Sequence, residues 1–203
     1  MRVEAYAKQY DGYTAAAGSA TPNLVAQGPS LDRGSMFGVD ALVRWKASGA
    51  LSGWASYSYL NGKVRTRDAG EWIPSAADVH HTFTGVAKLA FGDNWEIGST
   101  ARFASGKPYT GITGATTDAD GNRTALYAPT HSSRMPNYTR LDSRLTRLVP
   151  TGKGMFILYI EGLNLLDRRN IMAYTYDSSY TRRVPIESFF ANRTLVFGAE
   201  AMF

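Results

Sequence analysis

The chain has 203 residues, of which 44% are hydrophobic and 19% are charged, and its formal net charge is +5. This composition excludes a disordered tail, and no apolar run approaches the roughly 20 residues of a membrane-spanning helix. Because the chain has no cysteine, disulfides, thiolate metal sites and cysteine nucleophiles are excluded as well. The 22 Lys and Arg are scattered among 17 acids without a basic block, so no nucleic-acid partner is expected.

Aromatic residues and glycine dominate the composition, with 12 Tyr, 9 Phe and 4 Trp beside 20 Gly, which is typical of a β-protein. Eight segments read as strands, most of them with apolar residues at alternate positions. In chain order they are 2–10, 35–46, 51–60, 82–91, 95–103, 138–149, 155–165 and 194–203. The segment 155–165 is apolar at both odd and even positions, so the sequence leaves open which of its side chains face which side of the sheet. Strands of about 9 to 13 residues are longer than the usual 5 to 6 and fit a tilted crossing of a bilayer.

The connections between these strands alternate in length along the chain. Long connections are expected at 13–34, 61–76, 106–137 and 167–188, and tight turns at 47–50, 92–94 and 150–154. Outer-membrane barrels have short periplasmic turns and long extracellular loops. The pattern therefore predicts an all-β fold, an antiparallel transmembrane β-barrel segment, with the tight turns in the periplasm. A secreted β-sandwich with long loops on one side is the alternative.

Aromatic residues are expected to form girdles at both membrane interfaces of such a barrel. The periplasmic girdle would contain Trp45, Phe91, Trp95, Phe156 and Phe203. The outer girdle would contain Tyr57, Tyr59, Phe83 and Phe103.

Several segments between about residue 35 and the last strand resemble those of TonB-dependent outer-membrane receptors. The last strand, NRTLVFGAEAMF, resembles the assembly signal of Gram-negative outer-membrane proteins, with Leu195, Phe197, Ala199, Ala201 and Phe203 at alternate positions. Upstream, the similar segments are GVDALVRWKASGALSGWASYSY (38–59), WIPSAADVHHTF (72–83), RFASGKPYTG (102–111), RMPNYTRLDSRLTR (134–147) and YIEGLNLLDRRN (159–170).

This resemblance implies a place in the Gram-negative outer membrane and a role in a larger assembly. Members of the family have a signal peptide, a TonB-contacting box, a plug domain and a 22-stranded barrel. Residues 1–203 would then be the C-terminal part of that barrel, about eight strands, with the plug and the earlier strands missing. A complete eight-stranded barrel with a structural or adhesive role is the alternative, since closure at eight strands is physically allowed.

The resemblance also implies function and partners. The family takes up a bulky ligand such as an iron chelate, cobalamin, a carbohydrate or a peptide. The implied partners are the bilayer, the barrel-assembly machinery, the plug domain and TonB, while the extracellular ligand is not identified. We expect ligand contact in the long loops, where Tyr174, Tyr176, Tyr180, Arg182 and Arg183 supply aromatic and basic side chains.

The strands carry charged residues at alternate positions, and these residues are predicted to face the barrel lumen. The set singled out for a lumen- or plug-facing role is Asp40, Arg44, Glu96, Arg102, Arg140, Asp142 and Arg144. Charge on the lipid side would cost roughly 2 to 4 kcal/mol at mid-depth. Such residues either dock a plug or pair with one another in a hydrated lumen.

No cofactor, metal site or catalytic group is expected. The adjacent His80 and His81 would point to opposite faces of a strand and could not bind one ion. The segment 118–122 has oxygen ligands at alternate positions but lacks the glycine and glutamate spacing of a calcium loop, so it is read as a turn. A barrel hydrolase built on His131 and its neighbouring serines is the remaining enzyme alternative.

Overall fold

The computed structural model describes residues 1–11, 31–46, 50–66 and 70–202. Every element it describes in these ranges is a β-strand. Eight long strands form the main sheet: β1 (Arg2–Asp11), β2 (Leu31–Lys46), β3 (Leu51–Thr66), β5 (His81–Phe91), β6 (Trp95–Ala104), β11 (Tyr138–Thr151), β12 (Gly154–Leu163) and β15 (Thr194–Met202). The short strands are β4 (Trp72–Pro74), β7 (Pro108–Tyr109), β8 (Ile112–Thr117), β9 (Arg123–Tyr127), β10 (Ser133–Arg134), β13 (Ile171–Tyr176) and β14 (Arg183–Glu187).

The long strands are hydrogen-bonded in the order β1-β2-β3-β5-β6-β11-β12-β15, and β4 adds to β3 beyond this path. Each neighbouring pair is antiparallel. The predicted all-β antiparallel fold is confirmed, and so is each of the eight predicted strands. Over the described residues the sheet is open, because β1 pairs with β2 alone and β15 with β12 alone.

Tight turns join β5 to β6 and β11 to β12 at one end of this sheet, the turn end, while residues 47–49 of the predicted turn between β2 and β3 lie outside the described residues. Gly92 and Asn94, both at positive φ, turn the chain between β5 and β6. At the opposite end, the loop end, β2 and β3 run further than the sequence predicted. β2 begins at Leu31 and β3 continues to Thr66, so that part of each predicted long connection is strand.

The long connections contain secondary structure of their own, which the sequence analysis did not predict. The connection 106–137 holds the hairpin β8–β9 and the short pair β7–β10, and the connection 167–188 holds the hairpin β13–β14. The reason is local, because alternating segments such as ITGATT and IMAYTY are followed by turns that Asp118 and Asp177 close through their carboxylates.

Burial in this protein is the reverse of that in a globular domain. Among the described residues, the buried hydrophobic side chains are Val64, Met135 and Ala191. The buried polar ones are Ser75, Asp78, Asp142, Asn164 and Asn170. Globular chains of this size bury most of their large apolar side chains. Here the large apolar side chains of the described residues, other than Val64 and Met135, are exposed or half-buried, and the buried groups lie at the loop end.

Within the described ranges, no helix is long and apolar enough to cross a membrane.

Candidate functional site

One face of the main sheet, here called the apolar face, is continuous over all eight strands. Directly paired residues of antiparallel strands point to the same side, so the register connects Val39, Tyr57, Phe83 and their cross-strand partners onto one surface. Its charged residues lie only at its ends among the described residues. They are Asp11, Arg33, Lys63 and Arg65 at the loop end and Arg147 at the turn end.

Large side chains on the apolar face are exposed. Leu158 is 45% exposed, Leu195 60% and Phe197 70%. Soluble monomers rarely expose apolar patches beyond a few hundred Å². Within this face Ser99 and Ser143 bond to each other across strands at 2.9 Å. A largely apolar surface of this extent therefore needs a cover that the described chain does not provide.

The register also resolves the facing of β12, which the sequence left ambiguous. Phe156, Leu158 and Ile160 pair with Ala201, Ala199 and Phe197 on the apolar face. Their neighbours Ile157, Tyr159 and Glu161 therefore face the other side. Leu195, Phe197, Ala199 and Ala201, the described residues of the predicted assembly signal, share the apolar face of β15. Phe203 lies outside the described residues.

Aromatic side chains are found near both ends of the apolar face. At the turn end, Phe91 and Trp95 are stacked with ring centroids 6.5 Å apart. Trp45 and Phe156 belong to the same face and end. Towards the loop end, the register places Tyr57, Tyr59, Phe83 and Phe103 on this face. The Phe37 and Tyr59 rings meet edge to face at 6.4 Å.

The opposite face, here called the polar face, carries the charged residues of the strand interiors. All seven predicted lumen-facing residues lie on it: Asp40, Arg44, Glu96, Arg102, Arg140, Asp142 and Arg144. Asp40 lies opposite Glu4 of β1, and Arg44 opposite Trp54 of β3. Their role towards a lumen or plug stays a prediction.

Several charges on the polar face pair with one another across strands. Lys88 Nζ lies 2.5 Å from Glu96 Oε2. Arg144 lies over the Tyr159 ring at 3.6 Å and 3.8 Å from Glu200. Such pairs are the arrangement expected of a hydrated surface that neutralises its own charge.

Asp142 connects three segments at the loop end of the polar face. Arg102 and Arg140 are directly opposite each other on β6 and β11. Asp142 accepts from Arg140 Nε at 2.7 Å and from Arg102 Nη1 at 3.1 Å, which offsets the repulsion between the two guanidinium groups. It also accepts from the backbone N–H of Asn164 at 2.8 Å. The carboxylate thus ties two strands to the loop after β12.

Asn164 is the most buried polar side chain of the described residues, with 0% exposure. Its amide nitrogen donates to the carbonyl oxygens of Arg168, Phe190 and Ala191 at 3.1, 3.0 and 2.9 Å. It adopts a φ of +50°, which asparagine tolerates better than most residues. Asn164 therefore fixes the start and the end of the long connection between β12 and β15.

Asp78 is the second buried polar centre, at 2% exposure. Its carboxylate accepts from the backbone N–H of Gly62 at 2.7 Å and forms an ion pair with Arg134. Arg134 also donates to the carbonyls of Asp78 and Gly106. A Cβ at Gly106 would lie 1.5 Å from the Met135 carbonyl oxygen, so this close approach requires glycine.

Sequence reasoning missed Asp78, Arg134 and Asn164 as key residues. All three lie within the segments that carry the family resemblance, and this was the signal available. In the structure, these segments are where the strands meet the loops. The motifs therefore encode a polar framework at the loop end.

The three histidines contact different partners near the loop end. His80 Nε2 lies 2.9 Å from Asp78 Oδ2, whereas His81 Nδ1 bonds to the Tyr57 hydroxyl at 2.8 Å. His131 Nδ1 lies 2.6 Å from the Pro74 carbonyl oxygen.

The segment 118–122 forms the turn of the hairpin β8–β9. Asp118 accepts from the backbone N–H groups of Asp120 and Asn122. Hydrogen bonds from the backbone and then the side chain of Asn122 lower the pKa of Asp118 below its ordinary value of 3.8. Its carboxylate oxygens are used within the turn.

A cleft of about 470 Å³ lies between the hairpins at the loop end. Tyr109, Tyr176, Tyr180 and Arg183 line it with hydroxyl-bearing and basic side chains. Arg183 donates to the Tyr109 hydroxyl at 2.9 Å and lies over the Tyr174 ring at 4.1 Å. Of the five loop residues predicted to contact ligand, the structure brings Tyr174, Tyr176, Tyr180 and Arg183 into or beside this cleft.

Comparison with protein families, with curated proteins and with solved structures finds no match to this chain.

Proposed function

We propose that the chain is an antiparallel transmembrane β-barrel segment of a TonB-dependent outer-membrane receptor in a Gram-negative bacterium. Its role is to bind and transport, without catalysis, a bulky ligand such as an iron chelate, cobalamin, a carbohydrate or a peptide. One observation carries the proposal: the exposed apolar face runs across all eight strands while the charges of the strand interiors lie on the opposite side.

A lipid bilayer supplies the cover that the apolar face needs. Burying apolar area from water contributes roughly 25 cal/mol per Å², and the described chain leaves many large apolar side chains exposed. The aromatic residues near both ends of this face match the girdles of outer-membrane barrels. The polar face would then line the lumen, and the cleft between the outer hairpins would meet the ligand.

The open edges bear on the number of strands. In hydrocarbon an unpaired backbone group costs several kcal/mol, so β1 and β15 both need a partner strand. In a 22-stranded receptor barrel, further strands of the parent protein pair with both edges. In a self-contained barrel, which the eight-strand meander favours as the second candidate, β1 pairs with β15.

Membrane insertion tests the proposal with two neighbouring substitutions. Leu158 and Ile157 are adjacent in β12 but face opposite sides of the sheet. We expect Leu158→Arg to reduce the stability of the lipid-inserted chain by roughly 2 to 4 kcal/mol, while Ile157→Arg, on the polar face, is tolerated. Urea unfolding of the full chain in phosphatidylcholine vesicles measures both. Equal losses in the two variants would contradict the proposal.

Engineered cysteines distinguish the two candidates, because the natural chain has none. Cysteine pairs between β1 and β15, such as Ala5→Cys with Ala199→Cys and neighbouring registers, are oxidised after insertion. A disulfide within one chain indicates closure at eight strands. Its absence across the series supports a segment of a larger barrel.

A further inference from the structure

Three basic side chains gather at the loop end of β2 and β3, on the apolar face. Arg33 lies directly opposite Arg65. Lys63 lies opposite Ser35, which is two residues after Arg33 in β2. Directly opposed residues have Cβ atoms about 4.5 to 5.5 Å apart, and diagonal ones about 7 to 8 Å. The three cations therefore share one small area of the surface that also carries Phe37 and Tyr59.

The register brings three positive charges together here, Arg33, Lys63 and Arg65. Asp11 Oδ1 lies 3.2 Å from Arg33 Nε. Arg65 Nε donates to the carbonyl of Gly70 at 3.1 Å. Like charges directly opposite each other destabilise a sheet. An anion between Arg33 and Arg65 would remove that repulsion.

The surroundings indicate where the anion comes from. Trp72 of β4 pairs with Arg65, lies on the same face and is 48% exposed. Tryptophan and tyrosine are enriched where hydrocarbon meets headgroups, and arginine and lysine extend their charged ends towards that boundary. The cations lie at the loop-end margin of the apolar face. Next to them, towards the middle of the sheet, are the apolar side chains that the proposed function places in hydrocarbon.

The turn end of the apolar face differs. Its one charged residue among those described, Arg147, lies over the Trp95 ring at 5.1 Å and donates to the Asp93 carbonyl. It is a single cation with partners from its own chain. Among the described residues, directly opposed arginines on the apolar face therefore lie at the end that the proposed orientation places in the outer leaflet.

We propose that Arg33, Lys63, Arg65 and Trp72 form an outer basic cluster that binds phosphate groups of lipids in the outer leaflet. The proposal rests on the proposed function, since it needs the apolar face to lie in a membrane. Guanidinium groups fit phosphate oxygens through paired hydrogen bonds, and Lys63 adds a point charge. The indole of Trp72 lies at the headgroup level beside them.

Insertion of the full chain into two kinds of vesicle tests the cluster. One is phosphatidylcholine alone, and the other contains phosphatidic acid, whose phosphomonoester is the probe. We expect the unaltered chain to bind the phosphatidic acid vesicles more tightly. The triple variant Arg33→Gln, Lys63→Gln, Arg65→Gln should lose on the order of 100-fold of this preference, roughly fivefold for each basic side chain. Lys63→Gln alone, at an exposed position, should lose roughly fivefold.

The matched control removes three cations from the polar face, with Arg44→Gln, Lys88→Gln and Arg144→Gln. Its net charge equals that of the triple variant, so a loss of similar size in the control would assign the preference to net charge and overturn the proposal. Inorganic phosphate at a concentration equal to the lipid phosphate should leave the preference unchanged. Complete displacement would point to a soluble anion and would also overturn it.

The failures of the two proposals are distinguishable. A chain that inserts into both vesicles without preference contradicts the outer basic cluster and leaves the barrel proposal standing. Equal destabilisation by Leu158→Arg and Ile157→Arg contradicts the barrel proposal, and the cluster with it.

Discussion

Two regions of this sheet are organised by different interactions: the span, which is the part formed by the eight long strands, and the loop end. Along the span, backbone ladders join the strands, and the side chains are exposed apolar groups on one face and charged groups on the other. At the loop end, buried polar groups such as Asp78, Asn164 and Asn170 tie backbone segments together. The span therefore leaves its apolar side chains exposed or half-buried, whereas the loop end has buried polar groups of its own.

This difference means that the two regions should respond to different substitutions. Changes in polarity should damage the span according to the face they alter. Loss of a single donor or acceptor should damage the loop end, because unsatisfied buried groups cost about 1 to 3 kcal/mol each. Four changes test this contrast.

The largest effect is expected at Asn164. Asn164→Ala leaves three carbonyl oxygens without their donor, so we expect a loss of about 3 kcal/mol or more. Asn192, which is exposed, is the matched control. Asn192→Ala should change the stability by less than about 0.5 kcal/mol. Urea unfolding in vesicles, followed by tryptophan fluorescence, measures both, and equal effects would contradict the importance of the buried amide.

Asp78→Ala should cost about 2 kcal/mol, since Arg134 and the Gly62 N–H lose a buried acceptor. The effect should be confined to the loop end. Limited trypsin digestion should show faster cleavage within 106–137, with the strand ladder retained. Asp93→Ala, in an exposed tight turn at the other end, serves as control. Faster cleavage in that control as well would show that the two ends are not independent.

On the polar face of the span, Gly198 is closely covered by Tyr159. A Cβ at this position would lie 2.1 Å from the tyrosine ring. Gly198→Ala should displace the ring, which also contacts Arg144, at a cost of about 1 kcal/mol. Gly98 lies on the same face, and a Cβ added there would have no atom within 4 Å, so Gly98→Ala should be tolerated. Thermal unfolding compares the two, and an equal loss would contradict this packing.

The smallest effect is the response of the β8–β9 hairpin to acid. The pKa of Asp118 is lowered in the folded hairpin, so its stabilising effect is present above the ordinary value of 3.8 and is lost as pH falls through the lower folded value. Amide NMR signals of Gly121 and Asn122 should shift in that range. In Asp118→Asn the acid response should disappear, and its persistence would assign the response to another group.

The sequence predicted the span well, because a period of two is a local signal. The alternation of Phe37, Val39 and Ala41 against Gly38 and Asp40 already defines two faces. It failed to give the facing of β12, where both parities are apolar. The facing there depends on the pairing of Leu158 with Ala199, which is a contact between strands.

The loop end was less predictable, because its contacts join distant segments. Asp78 and Arg134 lie 56 residues apart, and no local pattern connects them. Asn164 follows an apolar strand and resembles an ordinary turn residue until the backbone of 168–191 surrounds it. The hairpins β8–β9 and β13–β14 are shorter than the expected membrane strands, so a search for long alternating segments missed them.

The distance along the chain between contacting residues also affects the order in which the molecule folds. Three neighbouring pairs of long strands, β2–β3, β5–β6 and β11–β12, are separated by only a few residues in the chain, so their ladders can form from local contacts. The contact between Arg134 and Asp78 requires β3, β5 and the connection 106–137 to be assembled first. Because distant contacts form slowly, we expect the polar framework to close last, after the strands have assembled.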